Sequence, residues 1–476
     1  MGDNLSTLNV IFTEFYYWVT IVFMFLIHVG FCMYEVGASR RRNHMHTLMK
    51  NTMAIPLVTV TFFFFGWWIY FAFPSGLYWF NFVSDPLFYD PNLVAAPFSP
   101  LMGTHLSGVN ATDVAAGITA EGLNGAGIWH RLNGVFWAAF LLFSITTASI
   151  VSGAVIERIR MGAFWLIAVL LGSVLWITDA AWGWSAGGWM VKYLGYHDAY
   201  ASGVVHAIAG GAALATLIVL GPRLGKFRPD GTAREIPPHN PWLVTIGLFL
   251  IYTGFWGFYA ACNIPMIAPA SIAGQITGET WTATNIYLAP TTLSAITMNF
   301  LMALSGGMMA GYVFSKGDAF WTYSAGLCGI IGASAGNDLY HPIQAMIIGA
   351  VVPYIAYKLH YWVERRFKID DAVGAVAVHG YGGFMGVVIA GFVLWGSPSS
   401  PYADYAVITP LGNFVGACIM FFLGFIPVWV LAKVLHHFGL LRVPAKVELE
   451  GLDFKGRAAY DAAVAEIVAA ERAMVK

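Results

Sequence analysis

Two histidines carry most of the chemistry that this sequence can offer. One lies in Asp198-Ala-Tyr-Ala-Ser-Gly-Val-Val-His206-Ala-Ile-Ala-Gly210, the other in Asp371-Ala-Val-Gly-Ala-Val-Ala-Val-His379-Gly-Tyr-Gly-Gly383. In both, an Asp stands eight residues before a Val-His and a Gly four residues after it. Each segment opens an apolar, glycine-rich stretch long enough to cross a bilayer, where an ionisable side chain is costly and marks a functional site by default. A lone buried His is commonly satisfied by a nearby carbonyl. Repetition at a matched interval points instead to a shared role, because packing alone has little reason to repeat it. Two adjacent neutral imidazoles can hydrogen-bond and pass a proton, since each has one donor and one acceptor nitrogen. The pair should hold at most one proton. A metal site is the alternative, and a weak one without a third ligand close in sequence.

The elements that must position these residues are membrane helices. The chain has 476 residues, 58% hydrophobic and only 10% charged, against roughly 25% charged in a soluble domain. It is therefore a polytopic membrane protein; its net charge of −1 says nothing useful about nucleic acid, and no nucleic-acid partner is expected. The four cysteines, Cys32, Cys262, Cys328 and Cys418, fit neither a disulfide framework nor a metal site. The N-terminus has no basic run of the kind that opens a cleavable signal peptide. A span needs roughly 20 mostly apolar residues. That rule predicts spans over 14–37, 52–75, 130–156, 161–183, 199–221, 241–262, 287–314, 320–337, 341–362, 371–396 and 408–436. With the N-terminus outside and the C-terminus inside, 22 of the 24 Lys and Arg residues fall on the cytoplasmic side, leaving only Arg131 and Lys192 outside. A wrong topology rarely satisfies the positive-inside rule so well. The fold class is thus an all-α integral membrane protein of eleven transmembrane helices, N-out and C-in, multi-pass in the cell membrane.

The His-bearing spans are the fifth and the tenth. An offset of five spans places the copies in opposite orientations, the signature of an inverted repeat of spans 1–5 and 6–10 with its site near the midplane. Asp198 opens its helix on the outer side and Asp371 on the inner side. Eight residues carry each His about 12 Å inward, so the two meet near mid-membrane. The organisation that follows is a first half over 1–221, a proline-rich cytoplasmic joint over 222–240, a second half over 241–440 and a cytoplasmic tail over 441–476 with a helical stretch over 458–474. The outer segment 83–128 carries Asp85, Asp90, Asp113 and Glu121 and a sequon at Asn110-Ala-Thr112. Either aspartate of the repeat suits the positive end of a helix. Asp371 lies near Arg365, Arg366 and Lys368, which favours a structural role, whereas Asp198 is open to a second one, drawing a cation inward.

Local strings add a resemblance. Val29-Gly-Phe-Cys-Met-Tyr-Glu35-Val-Gly37, Leu48-Met-Lys-Asn51, Val151-Ser-Gly-Ala-Val-Ile-Glu157-Arg-Ile-Arg160, Trp184-Ser-Ala-Gly-Gly-Trp189, Gly203-Val-Val-His206, Gly254-Phe-Trp-Gly-Phe258, Val378-His379-Gly380, Leu441-Arg-Val-Pro444 and Glu450-Gly-Leu-Asp453 occur in this order. Together they resemble the ammonium transporter family (Amt/Mep/Rh), on its Amt/Mep branch. The resemblance implies a homotrimer in the lipid bilayer, not an enzyme, with no cofactor or metal. Each subunit would have its own apolar pore for ammonium or ammonia, and a PII-type cytoplasmic regulator is a further implied partner. By motif position it assigns NH4+ recruitment to Trp184, Cys262 and Asp198, a gate of two stacked rings to Phe143 and Phe258, and the pore pair to His206 and His379. Cation–π contact would hold NH4+ at Trp184. The ion would lose its proton near the gate, because charge is costly in an apolar pore, and NH3 would cross while the histidines relay the proton.

The sequence departs from the family pattern at the outer site. Cys262 replaces the usual vestibule serine, Phe140 a glutamine, Ala139 a frequent aromatic, and Tyr259 a small amide, while the tail lacks the usual His-Gly-Glu. These changes imply weaker outer binding of NH4+. The other function class is an ammonium sensor signalling through the cytoplasmic C-terminus; such sensors carry an appended domain, and this chain stops about 40 residues after the last expected span.

Overall fold

The computed structural model describes residues 2–66, 69–70, 126–272 and 275–453. The acidic segment around Asp85 to Glu121, the sequon and the helical stretch of the tail lie outside these. The chain folds into helices α1 (Gly2–Ala38), α2 (His44–Thr61, running on as a π-helical turn Phe62–Gly66), α3 (Ala126–Ala154), α4 (Met161–Gly183), α5 (Ser202–Leu220), α6 (Pro241–Ala261), α7 (Leu293–Phe314), α8 (Ala319–Ser334), α9 (Pro342–Phe367), α10 (Val376–Val393) and α11 (Pro410–His437). Among the described residues, ten of these are long and apolar enough to cross a membrane, which makes the chain a multi-pass membrane protein. The eleventh, α8, has 16 residues. It rises about 24 Å, short of the roughly 30 Å hydrocarbon core, and is buried from Ser324 to Ser334.

Helix starts follow from the sequence. Thr292, Asp318 and Thr409 each accept a backbone N–H of the first turn of α7, α8 and α11. Asn240 does the same before Pro241 at the start of α6. Such caps satisfy donors that an isolated helix leaves free. The seventh span therefore begins at its cap, later than the expected residue 287, because a small sheet occupies the preceding chain. Strands β1 (Asn263–Ile272), β2 (Gln275–Asn285) and β3 (Pro290–Thr291) pair antiparallel in that order, with Asn263 opposite Asn285 and a bulge at Ala270/Ser271. Alternating threonines at 280, 282 and 284 are the strand signal. The hairpin adds a small antiparallel sheet to an otherwise helical fold.

The two copies of the Asp-His pattern are matched in conformation as well as in spacing. Asp198 Oδ1 accepts the N–H of Ser202 (2.6 Å), and its Oδ2 those of Gly203 (2.7 Å) and Val204 (2.9 Å). Asp371 accepts from Ala375 (2.9 Å), Val376 (2.9 Å) and Ala377 (3.3 Å), the same three positions relative to the Asp. Three residues after each Asp the backbone is left-handed, at Ala201 (φ 68°) and Gly374 (φ 71°). Each His then sits in a π-helical turn, Ser202–Ala207 or Val376–Tyr381, a geometry common at functional sites. The repeated glycines explain themselves at the crossing. A Cβ on Gly210 would lie 2.0 Å from Gly380 Cα, and one on Gly383 would lie 2.2 Å from the Ser202 carbonyl and 2.9 Å from His206 Cβ. Only hydrogen fits there.

At one end of the bundle, a buried ion network ties the helix ends to the segment after α11. Glu157, left-handed at φ 71°, accepts from Arg40 (2.9–3.0 Å) and Asn43 (3.0 Å) and lies 3.4 Å from Arg223. Arg223 is bidentate to Asp370 at 2.8 Å, and Arg158 donates to the Asp370 carbonyl at 2.6 Å. Arg442 reaches the carbonyls of Leu220 and Pro222 and pairs with Glu448. Asp453 accepts the N–H groups of Met45 and His46. Burial alone would raise the Glu157 and Asp370 carboxyls. The Arg40 hydrogen bond with the Arg223 and Arg40 charges outweighs it at Glu157, and Arg223 with Arg158 does so at Asp370, so both end below the ordinary range.

Candidate functional site

The helix crossing brings His206 Nδ1 to 3.0 Å from His379 Nδ1, with ring centroids 5.1 Å apart. One nitrogen donates and the other accepts, so the hydrogen bond fixes complementary tautomers. His206 is fully buried, and its Nε2 has no hydrogen-bond partner among the described residues. Parallel rings hold the imidazole of His206: Phe255 at 5.9 Å and 11°, Phe258 at 5.8 Å and 20°.

From His206 an unbroken series of ring contacts leads away from His379. Phe258 meets Phe143 at 4.6 Å, and Phe143 meets Trp184 at 4.8 Å. The Phe143–Phe258 pair is edge-to-face at 80°, not the stacked pair that the family resemblance implies. Edge-to-face contact is the favoured arrangement of two quadrupoles at this distance. It leaves no room between the rings, and both are fully buried.

The residues assigned to recruitment lie beyond this pair. Trp184 is fully buried, its Nε1 donating to the Ala199 carbonyl at 3.3 Å. Phe140 covers it at 5.9 Å. An apolar ring thus occupies the place where the family pattern supplies an amide. Cys262, also fully buried, donates Sγ–H to the Phe258 carbonyl at 3.1 Å. Asp198 is the cap described above and in addition accepts from Tyr196 at 3.1 Å. Its three backbone bonds match those of Asp371, which in place of a tyrosine has the His360 ring 3.8 Å away. Tyr259 stacks on Tyr200 at 4.4 Å and 4°, and its hydroxyl is held by Ser334 and Asn337.

Two polar clusters were not legible as sites. Lys50, counted with the cytoplasmic residues from its position in sequence, is fully buried and lies 3.5 Å from Glu35. Its Nζ donates to the Ser152 carbonyl at 2.7 Å and faces the Phe164 ring at 5.3 Å. Glu35 and Lys50 both stood in the family strings, but nothing in their spacing said that they pair. The second cluster is a chain of Ser399, His197 and Asp338: Ser399 Oγ is 3.0 Å from His197 Nδ1, and Asp338 Oδ1 is 3.1 Å from His197 Nε2. Its members lie 141 and 202 residues apart in sequence, so only the fold assembles it.

Comparison with known proteins bears on the whole chain. The model of the Ammonium Transporter Family matches residues 15–460. Ammonium transporter Amt2 of Archaeoglobus fulgidus is 29% identical over 462 residues, covering 91% of this chain and 84% of that protein. Ammonium transporter Amt1 of Methanocaldococcus jannaschii is 28% identical over 67% of this chain and 75% of its own length. Among solved structures, the Sensor Amt Protein superposes with a TM-score of 0.70 at 21% identity, covering 95% of this chain and 99% of that one. Saccharomyces cerevisiae Mep2 superposes at 0.65 and 18% identity over 91% and 88%. These likenesses establish the fold, and the match to the family model over nearly all of the sequence establishes more: the chain belongs to the Ammonium Transporter Family.

Proposed function

We propose that this protein carries ammonium across the cell membrane by stripping its proton at the Phe143–Phe258 gate and passing NH3 and the proton separately over the His206–His379 pair. The observation that carries this reading is the continuous run Trp184, Phe143, Phe258, His206, His379, in which fully apolar contacts end on two hydrogen-bonded imidazoles. An ion held by cation–π attraction at Trp184 cannot enter such a run as a charge without a large penalty. Ammonia can, and K+, which has no proton to lose, cannot. The imidazole pair then offers hydrogen bonds to NH3 and a path for the proton. In this reading the protein has eleven spans with its N-terminus outside and its C-terminus inside, its two halves at 1–221 and 241–440 are joined by the cytoplasmic stretch 222–240, and it works as a homotrimer with a PII-type regulator at the tail 441–476.

The test is an ammonium-pulse current on supported membranes. Wild-type protein should give a transient that K+ does not, and His206→Ala or His379→Ala should lower it at least tenfold. A wild type that binds ammonium but passes neither current nor ammonia would overturn transport in favour of an ammonium sensor.

A further inference from the structure

Below the histidine pair lies a small cavity bordered by His379, Glu35, Ser324, Tyr34, Phe31 and Val373 among others, with about 20 Å³ open to water centres. One water needs roughly 10–15 Å³ by this measure and two to four polar partners. The cavity meets both conditions. His379 borders it, and of its two ring nitrogens only Nδ1 is engaged by His206. Glu35 Oε1 is buried and has no hydrogen-bond partner among the described residues, and the buried Ser324 also lines the cavity.

The distribution of bonds on Glu35 is lopsided. Ser152 Oγ (2.7 Å), Asn51 Nδ2 (2.9 Å) and Lys50 Nζ (3.5 Å) all converge on Oε2. A carboxylate that served only to neutralise Lys50 would gain by sharing these donors over both oxygens, because a buried oxygen left bare is costly. Oε1 faces the cavity instead. Gly153 helps to leave the space open, since a Cβ there would stand 3.6 Å from Oε1 and 2.6 Å from Val373 Cγ2.

We infer that Glu35 is the proton acceptor on the cytoplasmic side of the pore, reached from His379 through one water in this cavity. The step balances without an electron donor or acceptor. The proton from ammonium binds His206 Nε2, and the His206 Nδ1–H bond breaks as an N–H bond forms on His379 Nδ1. The Nε2–H bond of His379 breaks as an O–H bond forms on the water, and another O–H bond of that water breaks as one forms on Glu35 Oε1. Lys50 supplies the opposite charge beside the carboxylate, 3.5 Å from Oε2. The neutral acid then returns its proton to the emerging NH3, re-forming NH4+. The inference rests on the transport reading proposed above, and it adds a residue on a different helix from either histidine.

The test uses full-length protein in liposomes with two readouts: ammonium-evoked current, and the internal alkalinisation that follows entry of neutral NH3. Glu35→Gln keeps the shape and the bonds to Ser152 and Asn51 but cannot take up a proton at neutral pH. We expect at least a tenfold loss of current with alkalinisation within twofold of wild type. A fault in packing would depress both together. If the buried Lys50 left alone by that change prevents folding, the Glu35→Gln/Lys50→Met variant removes both charges and should show the same split. Wild-type current in a folded form of either variant would overturn the inference. Absence of current from the wild type would overturn the transport reading itself, so the two failures are distinct.

Discussion

At the scale of the residue, Cys262 is the departure from the family pattern with the plainest consequence. Its thiol is spent on the Phe258 carbonyl, and sulfur is a poor acceptor for an ammonium N–H. Cys262→Ser should tighten the half-saturating ammonium concentration for current several-fold, and an unchanged value would remove the thiol from the recruitment site. The aspartates make a second case. Because Asp198 and Asp371 each hold three consecutive N–H groups, Asp198→Asn and Asp371→Asn should each cost on the order of 1–2 kcal/mol of stability, measured by thermal unfolding in detergent. Equal melting losses with a current defect confined to Asp198→Asn would restore a separate role for Asp198 in drawing the cation. The histidines could be read from sequence because a charge-capable residue in an apolar run stands out and the run occurs twice. Glu35 and Lys50 could not, because each falls where an apolar run ends and reads as an ordinary flank.

At the scale of the element, the left-handed residue before each π-helical turn is the sharpest feature. Gly374 adopts φ 71° freely, whereas Ala201 at φ 68° pays for its Cβ, about 1–2 kcal/mol. Part of that is offset because Gly loses more freedom on folding, roughly 0.5–1 kcal/mol. Ala201→Gly should therefore raise stability by up to about 1 kcal/mol, and Gly374→Ala should lower it by a similar amount, since its Cβ would touch Trp321 only at 3.4 Å. A fall in melting temperature for Ala201→Gly would contradict this account. Nine of the eleven helices lie within six residues of the expected spans because length and apolarity are set by the bilayer, whereas α1 begins twelve residues before the expected 14 and α2 eight residues before the expected 52. The π-helical turns and the hairpin over 263–291 were not. A turn of different pitch leaves no mark on composition, and the eye for spans passes over a short threonine alternation.

At the scale of the whole molecule, stability gathers in the ion network at the ends of the helices. Asp370 is held below the ordinary carboxyl range because Arg223 and Arg158 outweigh its burial. A group depressed in this way stabilises the fold above its unfolded value near 4 and loses that contribution as pH falls toward its folded value. Asp370→Asn should cost roughly 3–5 kcal/mol at pH 7, the usual loss when a buried pair is broken. The gap to wild type should narrow steadily as melting is followed below about pH 4, and a gap that does not change with pH would exclude the ion pair as its source. The strings Glu157 to Arg160 and Leu441 to Pro444 were recognisable in sequence without a reason for their presence. In the fold they touch: Arg160 N–H donates to the Leu441 carbonyl at 2.9 Å, and Val443 N–H to the Arg158 carbonyl at 3.0 Å. They stitch the chain after α11 to the bundle.

The crossing at Gly210, Gly380 and Gly383 has a historical consequence. After a segment is duplicated, its two copies are free to drift apart wherever each packs against its own surroundings. Here they pack against each other, with no atom to spare. A substitution in one copy at this point can survive only if the other has already yielded, and neither can yield while each must present its imidazole to its twin. The crossing therefore couples the two copies at the place where each packs directly on the other.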